Sequence, residues 1–373
     1  MQGKKFTVIC PDGLSAHIHR IISIAEPPTH KNLELAVDIA TILYGSKKIR
    51  LSNEPSPTEH QAMISRISRF IKIGAPIEIL SLWGATKGYG QDNNRLGIDL
   101  ADALGIRRFA CLDHQIRTIY TPGLKVRIIR EDVGEWVLCT STTNLPQKMH
   151  TYCSQLDTLA AVIGGVEFTD ESTLLTTRSI DTNTFLNQGR NNAESIQQYW
   201  TASDTLPEIL WDSTPEHQAV RQTGWNGVIP SITRDYYLQR AATEHRQATK
   251  NQLITAVCTY LGMALARYQL QLFNGTYTDQ QGTIPPLKAS FTPYPPGTPN
   301  TQRTGRLEYK VKDSKNSNNS TPPWCGYGCM THKGEASILN LNNYKNYHLE
   351  QTEIEVQGEN GKCKFRADLA RAI

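Results

Sequence analysis

Residues 76–83, PIEILSLW, are an apolar run of strand length opened by Pro76 just after Gly74, with helical periodicity on both sides. That order restricts the possible folds more than any other feature of the chain. Upstream, KNLELAVDIATILYG (31–45) sets Leu33, Leu35, Val37, Ile39, Ile42 and Leu43 on a broad helical face closed by Gly45. SPTEHQAMISRISRFIKIG (56–74) predicts a second helix, with Met63, Ile64, Ile67, Phe70 and Ile71 as its stripe and Ser56 or Thr58 as its cap. Downstream of Gly97, Ile98, Ala101, Leu104, Phe109, Leu112, Ile116 and Ile119 recur at helical spacing, with a break expected near Gly105. After TPG (121–123), LKVRIIRED (124–132) alternates as a strand, and a further helix is expected over 145–163. This order predicts an α/β fold, a Rossmann-like, mostly parallel sheet flanked by helices. Ligands on such sheets bind beyond the carboxyl ends of the strands, which here are the loops 84–96 and 131–136.

The texture changes after about residue 180. DTNTFLNQGRNNAES (181–195) is polar and turn-rich, and reads as a connection. A long helical region is expected over 231–273, its first half polar and its second half apolar nearly all round. Short β-like pieces follow: LKASF (287–291), RLEYKV (306–311), ASILNL (336–341) and TEIEVQ (352–357), separated by Pro-, Asn- and Ser-rich loops. The expected division is a Rossmann-like portion with a glycine loop over 1–180, and a C-terminal α+β portion over 181–373 that completes the site. A single continuous domain is the alternative.

Charge limits the choice of partner. With 39 basic and 35 acidic side chains the net charge is +4, and Lys and Arg are scattered, which argues against nucleic acid and leaves a small anionic ligand open. No apolar run approaches the ~18 residues of a membrane span. The run Phe6 to Cys10 is too short for a signal peptide. Eight cysteines at irregular spacings read as reduced thiols in a cytoplasmic protein.

Four motifs carry chemistry. WGATKGYGQDNN (83–94) follows the first strand with Gly84, Lys87, Gly88 and Gly90, yet it has neither GxxxxGK[ST] order nor GxGxxG gaps. Two readings stand: backbone N–H groups with Lys87 holding an anion at a helix start, or a mere connection. Asp99 and Asp102, three apart, share one helical face, either as a carboxylate pair able to supply a base or as charges favouring the helix dipole. Lys125 and Arg127 share one face of the second strand, as a solvated face or the rim of an anionic site. CGYGCMTH offers Cys325, Cys329 and His332 at zinc-ligand spacing, against the plain reading of buried cysteines. His114, His150, His217 and His245 have no partner at triad spacing.

These pieces together resemble the isonitrile (isocyanide) synthases of the pyoverdine/dityrosine biosynthesis family. The resemblance runs through Lys87 in its glycine loop, Asp99 and Asp102, and IRTIYTPGLKVRIIRED (116–132). LKASF is similar to that family's Arg-Leu-Ser-Ile-His strand, and PPWCGYG to its Pro-Trp-His segment. The likeness spans roughly Ile73 to Asn340. Two departures stand out: Cys325 takes the place of the histidine after Pro-Trp, and Phe291 that of the other histidine. The segment after Lys87 also lacks the usual Ser-Pro-Asn character.

The resemblance implies an enzyme that joins an amino acid, commonly tyrosine or tryptophan, to the ketone of ribulose 5-phosphate and releases the α-isonitrile. It implies no metal or redox cofactor, and a downstream oxygenase in the same pathway. Lys87, with Lys288 or Arg306, would hold the phosphate or polarise the carbonyl, and Asp102 or Asp132 would orient or deprotonate the amine. Tyr120 and Trp324 would wall the site. Gly84, Gly88, Asp99, Ser290 and Cys325 would complete the substrate-binding set. The rival expectations are a non-catalytic homologue that binds the phosphosugar or amino acid, and a zinc-dependent enzyme built on Cys325, Cys329 and His332.

Overall fold

The computed structural model describes residues 6–9, 32–44, 57–85, 97–134, 145–202, parts of 255–267, 269–289, 326–330, 336–340, 347–358 and 360–372. Strand β1 (Phe6–Ile9) is followed by helices α1 (Asn32–Tyr44) and α2 (Pro57–Lys72), then β2 (Ile77–Trp83), α3 (Leu100–Arg117) and β3 (Leu124–Arg130). Next come α4 (Leu145–Ile163), β4 (Glu167–Asp170), α5 (Glu171–Thr177) and α6 (Thr182–Ala202). Seven strands follow: β5 (Thr278–Asp279), β6 (Gly282–Thr283), β7 (Leu287–Ala289), β8 (Gly326–Met330), β9 (Ala336–Asn340), β10 (Tyr347–Gly358) and β11 (Gly361–Ala372).

The central sheet has the order β4-β3-β2-β7, and every pairing in it is parallel. This is the α/β class expected from the sequence. β2 is buried on both faces, which is why it reads as an unbroken apolar run. The step from β2 through β3 to β4 moves one way along the sheet with α3 and α4 as crossovers, and the return to β7 lies on the other side of β2. Right-handed crossovers that reverse direction must lie on the opposite face. The two cores follow that rule. Ile77, Ile79, Trp83, Val126 and Ile128 pack with α3 and α4, whereas Leu80 and Ile129 pack with Leu174, Leu175, Phe185, Met263 and Ala266.

The two portions of the chain interleave. β7, from the second half, hydrogen-bonds to β2, and β1 pairs in parallel with β10, which pairs antiparallel with β11. The β8–β9 hairpin lies against α3 and β11. No helix among the described residues is long and apolar enough to cross a membrane.

Three sequence expectations need correction. Residues 181–195 are no connection; all but Asp181 lie in α6. That helix has few apolar residues and is held by packing rather than by pattern. Phe185, Asn192 and Ala193 are buried, and the Asn192 Nδ2 donates to Gly262 O at 3.0 Å. A Cβ at Gly262 would lie 2.1 Å from Gly189 O, so the absence of a side chain there permits the close helix crossing. Second, α3 runs unbroken through Gly105, with nearly all of its first half buried. Third, of the helix expected over about 231–273, residues 231–254 lie outside the described residues and residues 270–273 form a turn. The strand expected over 306–311 lies outside the described residues.

Candidate functional site

The carboxyl ends of β2, β3 and β4 meet at one edge of the sheet, in register: Trp83 faces Arg130, and Arg130 faces Asp170. The Glu131 N–H donates to Trp83 O at 2.9 Å, continuing the ladder one residue beyond the strands. Past that point the sequence is Gly84 and Ala85 after β2, Glu131-Asp132-Val133-Gly134 after β3, and Glu171-Ser172 after β4.

On one face, α3 starts with a capping box. Asp99 is the N-cap and its Oδ1 accepts the Ala101 N–H at 2.7 Å, while Asp102 Oδ2 accepts the Asp99 N–H at 2.9 Å. Asp102 is completely buried, and its other oxygen accepts the Tyr152 hydroxyl at 2.6 Å. Tyr152, from α4, in turn accepts the Trp83 indole N–H at 2.9 Å. Burial, and then the Asp102 carboxylate, push the Tyr152 phenol well above its ordinary pKa, so it remains a donor. The pair Asp99/Asp102 is therefore a helix-start device, and Asp102, completely buried, lacks the exposure that deprotonating an amine would need. Tyr152→Phe withdraws a hydrogen bond from both Asp102 and Trp83, and a stability loss of about 1–3 kcal/mol is expected from its denaturant midpoint. A midpoint equal to wild type would strip this chain of its structural role.

On the other face, Arg267 is 1% exposed and lies between two buried carboxylates, 2.9 Å from Glu131 and 2.5 Å from Glu171. Glu171 Oε2 also accepts the Gly134 N–H at 3.1 Å. The clamp fixes the segments after β3 and β4 to the helical residues near 267. Arg130, at the end of β3, pairs with Asp170 at 2.6 Å and with Asp157 of α4 at 2.8 Å.

Asp132 stands between these two anchored layers and is only partly buried. Its Oδ1 accepts the Ser172 N–H at 3.0 Å, and its Oδ2 accepts the Ser172 hydroxyl. Burial raises its pKa above the ordinary carboxylate value; the Ser172 bonds oppose that shift, and nearby Glu171 and Asp170 add to it. A partly buried carboxylate with a raised pKa at a strand's carboxyl end has the chemistry of a proton acceptor. Cys153, from α4, is no nucleophile: burial pushes its thiol up to about 12 despite the neighbouring Arg130.

The fold is shared with PvcA. The crystal structure of the PvcA protein from Pseudomonas aeruginosa aligns over 90% of this chain and 99% of that chain, with a TM-score of 0.55 and 14% identity. At that identity the likeness is one of fold. No protein-family model and no curated protein matches the sequence.

Within this PvcA-like fold the expected site residues separate. Gly84 and Asp132 lie at the carboxyl edge, and Asp99 and Asp102 lie at the adjoining helix start. Tyr120 does not wall that edge. Its hydroxyl donates to Ala75 O at 2.7 Å, just before β2, so it lies at the opposite end of a seven-residue strand, about 20 Å away. There it ties down the turn from α2 into the sheet. Lys288 occupies β7 at the register position of Leu80. Arg127 pairs with the buried Glu78 and Lys125 lies 5.6 Å from the Tyr277 ring, so these two cations belong to the packing of the sheet rather than to an anion rim.

Lys87, Gly88, Ser290, Arg306, Trp324, Cys325 and His332 lie outside the described residues, and Cys329 is in β8 with Ser337 as its partner in β9. Among the described residues, no group of three His, Cys, Asp or Glu side chains has a metal-holding arrangement. The sequence reading missed Tyr152, Ser172, Glu171 and Arg267. The acidic pair in TDES (169–172) was the available signal, because Asp170 and Glu171 straddle the end of β4 much as Glu131 and Asp132 follow the end of β3.

Proposed function

We propose that the chain is an isonitrile-synthase-like enzyme that converts the amine of an amino acid to an isonitrile with ribulose 5-phosphate as carbon donor. The observation that supports it most is Asp132: the resemblance names it as a candidate base, and it is a partly exposed, pKa-raised carboxylate at the carboxyl edge of a PvcA-like parallel sheet. Asp132 takes a proton from the substrate ammonium, and the freed nitrogen lone pair forms the N–C bond to the ketone carbon as the carbonyl oxygen takes up a proton. Lys87 and the N–H groups around Gly84 and Gly88 hold the phosphate, with Lys288 and Arg306 as further cations. Trp324, Ser290 and Cys325 line the amino-acid side. The reaction runs in the cytoplasm and hands its isonitrile to an oxygenase.

Incubation with tyrosine, tryptophan or leucine and ribulose 5-phosphate, followed by tetrazine trapping, tests the activity. Trapped adduct with at least one amino acid is the expected result; none with any common amino acid, beside a working control enzyme, ends the proposal. Lys87→Ala is expected to lower turnover by at least about 100-fold, since it removes the charge that meets the phosphate. Wild-type rates would take Lys87 out of the site.

A binding-only homologue is the second reading, and Cys325 and Phe291 at the family's histidine positions favour it. Calorimetric binding of ribulose 5-phosphate without turnover of any amino acid would decide for it.

A further inference from the structure

Among the described residues, a single residue of another element holds Asp132. Ser172 lies forty positions away, at the second residue of α5, and meets the carboxylate with both of its donors: the backbone N–H at 3.0 Å on Oδ1 and the hydroxyl on Oδ2. Its neighbour Glu171 is fixed independently by Arg267 and by the Gly134 N–H, so the start of α5 has no freedom to swing away from the end of β3. We infer that Ser172 is the positioning residue of Asp132, its two donors occupying one lone pair on each carboxylate oxygen and turning the remaining pairs toward the carboxyl edge of the sheet. The inference rests on the proposed role of Asp132 as the base.

Among the described residues, the charged and titratable groups around Asp132 come from β3, β4, α4, α5 and the helical residues near 267. Glu131 and Arg130 precede it in the chain, Asp170 ends β4, Glu171 starts α5, Cys153 projects from α4, and Arg267 reaches in from the opposite face to Glu131 and Glu171. The acids near Asp132 favour its protonated form, whereas the Ser172 hydrogen bonds favour the carboxylate. Ser172 thus sets the carboxylate's direction and keeps it ionised at a lower pH than its acidic surroundings would allow. A merely structural serine would cap α5 without altering the proton affinity of Asp132.

The test follows Asp132 itself, through the carboxyl-carbon NMR titration of the full-length protein with ¹³C-labelled aspartate, assigned by its loss in Asp132→Asn. The pH profile of isonitrile formation is measured beside it. In Ser172→Ala the Asp132 midpoint is expected to move to higher pH, the acid limb of kcat/KM to move with it, and plateau kcat to fall by about 10- to 100-fold. Ser172→Cys, close in size and a weak donor, is expected to shift both the same way, which keeps the test open should the alanine variant not fold. A midpoint equal to wild type in these variants overturns the inference whether or not the protein turns over any amino acid. A midpoint that moves while the acid limb stays in place overturns it too, because Asp132 is then not the group whose ionisation the reaction needs. If no amino acid reacts at all, the proposed function fails on its own account, and the midpoint alone decides whether Ser172 controls Asp132.

Discussion

Asp132→Asn is expected to lower kcat by about 10²- to 10⁴-fold, the range for loss of a positioned general base. The amide still accepts one hydrogen bond from Ser172, and removing a carboxylate whose ionisation burial opposes leaves stability within about 1 kcal/mol of wild type. The pH dependence has a definite sign. Because the folded-state pKa of Asp132 is raised, its protonated and inactive form persists to higher pH than that of an ordinary aspartate. Turnover therefore falls as pH drops through that raised value, and the residual activity of Asp132→Asn lacks this limb. For stability the same shift acts in the reverse direction: the raised pKa favours the fold at low pH, and that contribution is lost as pH rises from the unfolded-state value through the folded one. A fully active Asp132→Asn protein would remove the proposed base.

Arg267→Met is expected to cost about 3–5 kcal/mol, read from the shift in denaturant midpoint, because it leaves Glu131 and Glu171 facing each other without the cation that compensates them. Both carboxylates are nearly inaccessible, at 3% and 1% exposure, so water cannot replace the guanidinium. The triple variant Arg267→Met, Glu131→Gln, Glu171→Gln should recover much of the loss, since the penalty comes from excess buried negative charge rather than from a missing attraction. Activity should fall in the single variant, because Glu171 and Ser172 are neighbours at the start of α5. A single variant as stable as wild type would show that the clamp is not what holds the ends of β3 and β4 together.

The sheet was legible in the sequence where burial imposes a pattern. β2 is covered on both faces and so is apolar throughout, and α1, α2 and α4 lie within two residues of their expected bounds. α6 was illegible for the converse reason. Its buried positions include Gly189 and Asn192, residues chosen for a close helix crossing and a hydrogen bond to Gly262 O, and neither signals a helix in isolation. The site divides in the same way. The strand-end rule pointed to the loop 131–136 and the family resemblance to Asp132 within it, but Ser172 and Arg267 come to it from distant segments and leave no local trace. Asp99 and Asp102 show the opposite hazard: two acids at a helix start suggest a base, and the same spacing builds a capping box.

In the proposed reaction the ketone carbon of ribulose 5-phosphate passes to an amino-acid nitrogen. Turnover with [2-¹³C]ribulose 5-phosphate, followed by ¹³C NMR of the product, traces that carbon. The label is expected in the isonitrile carbon, formed by wild type and suppressed in Asp132→Asn. Unlabelled isonitrile would contradict the carbon source, and labelled sugar phosphate recovered unchanged beside every amino acid would contradict the reaction itself.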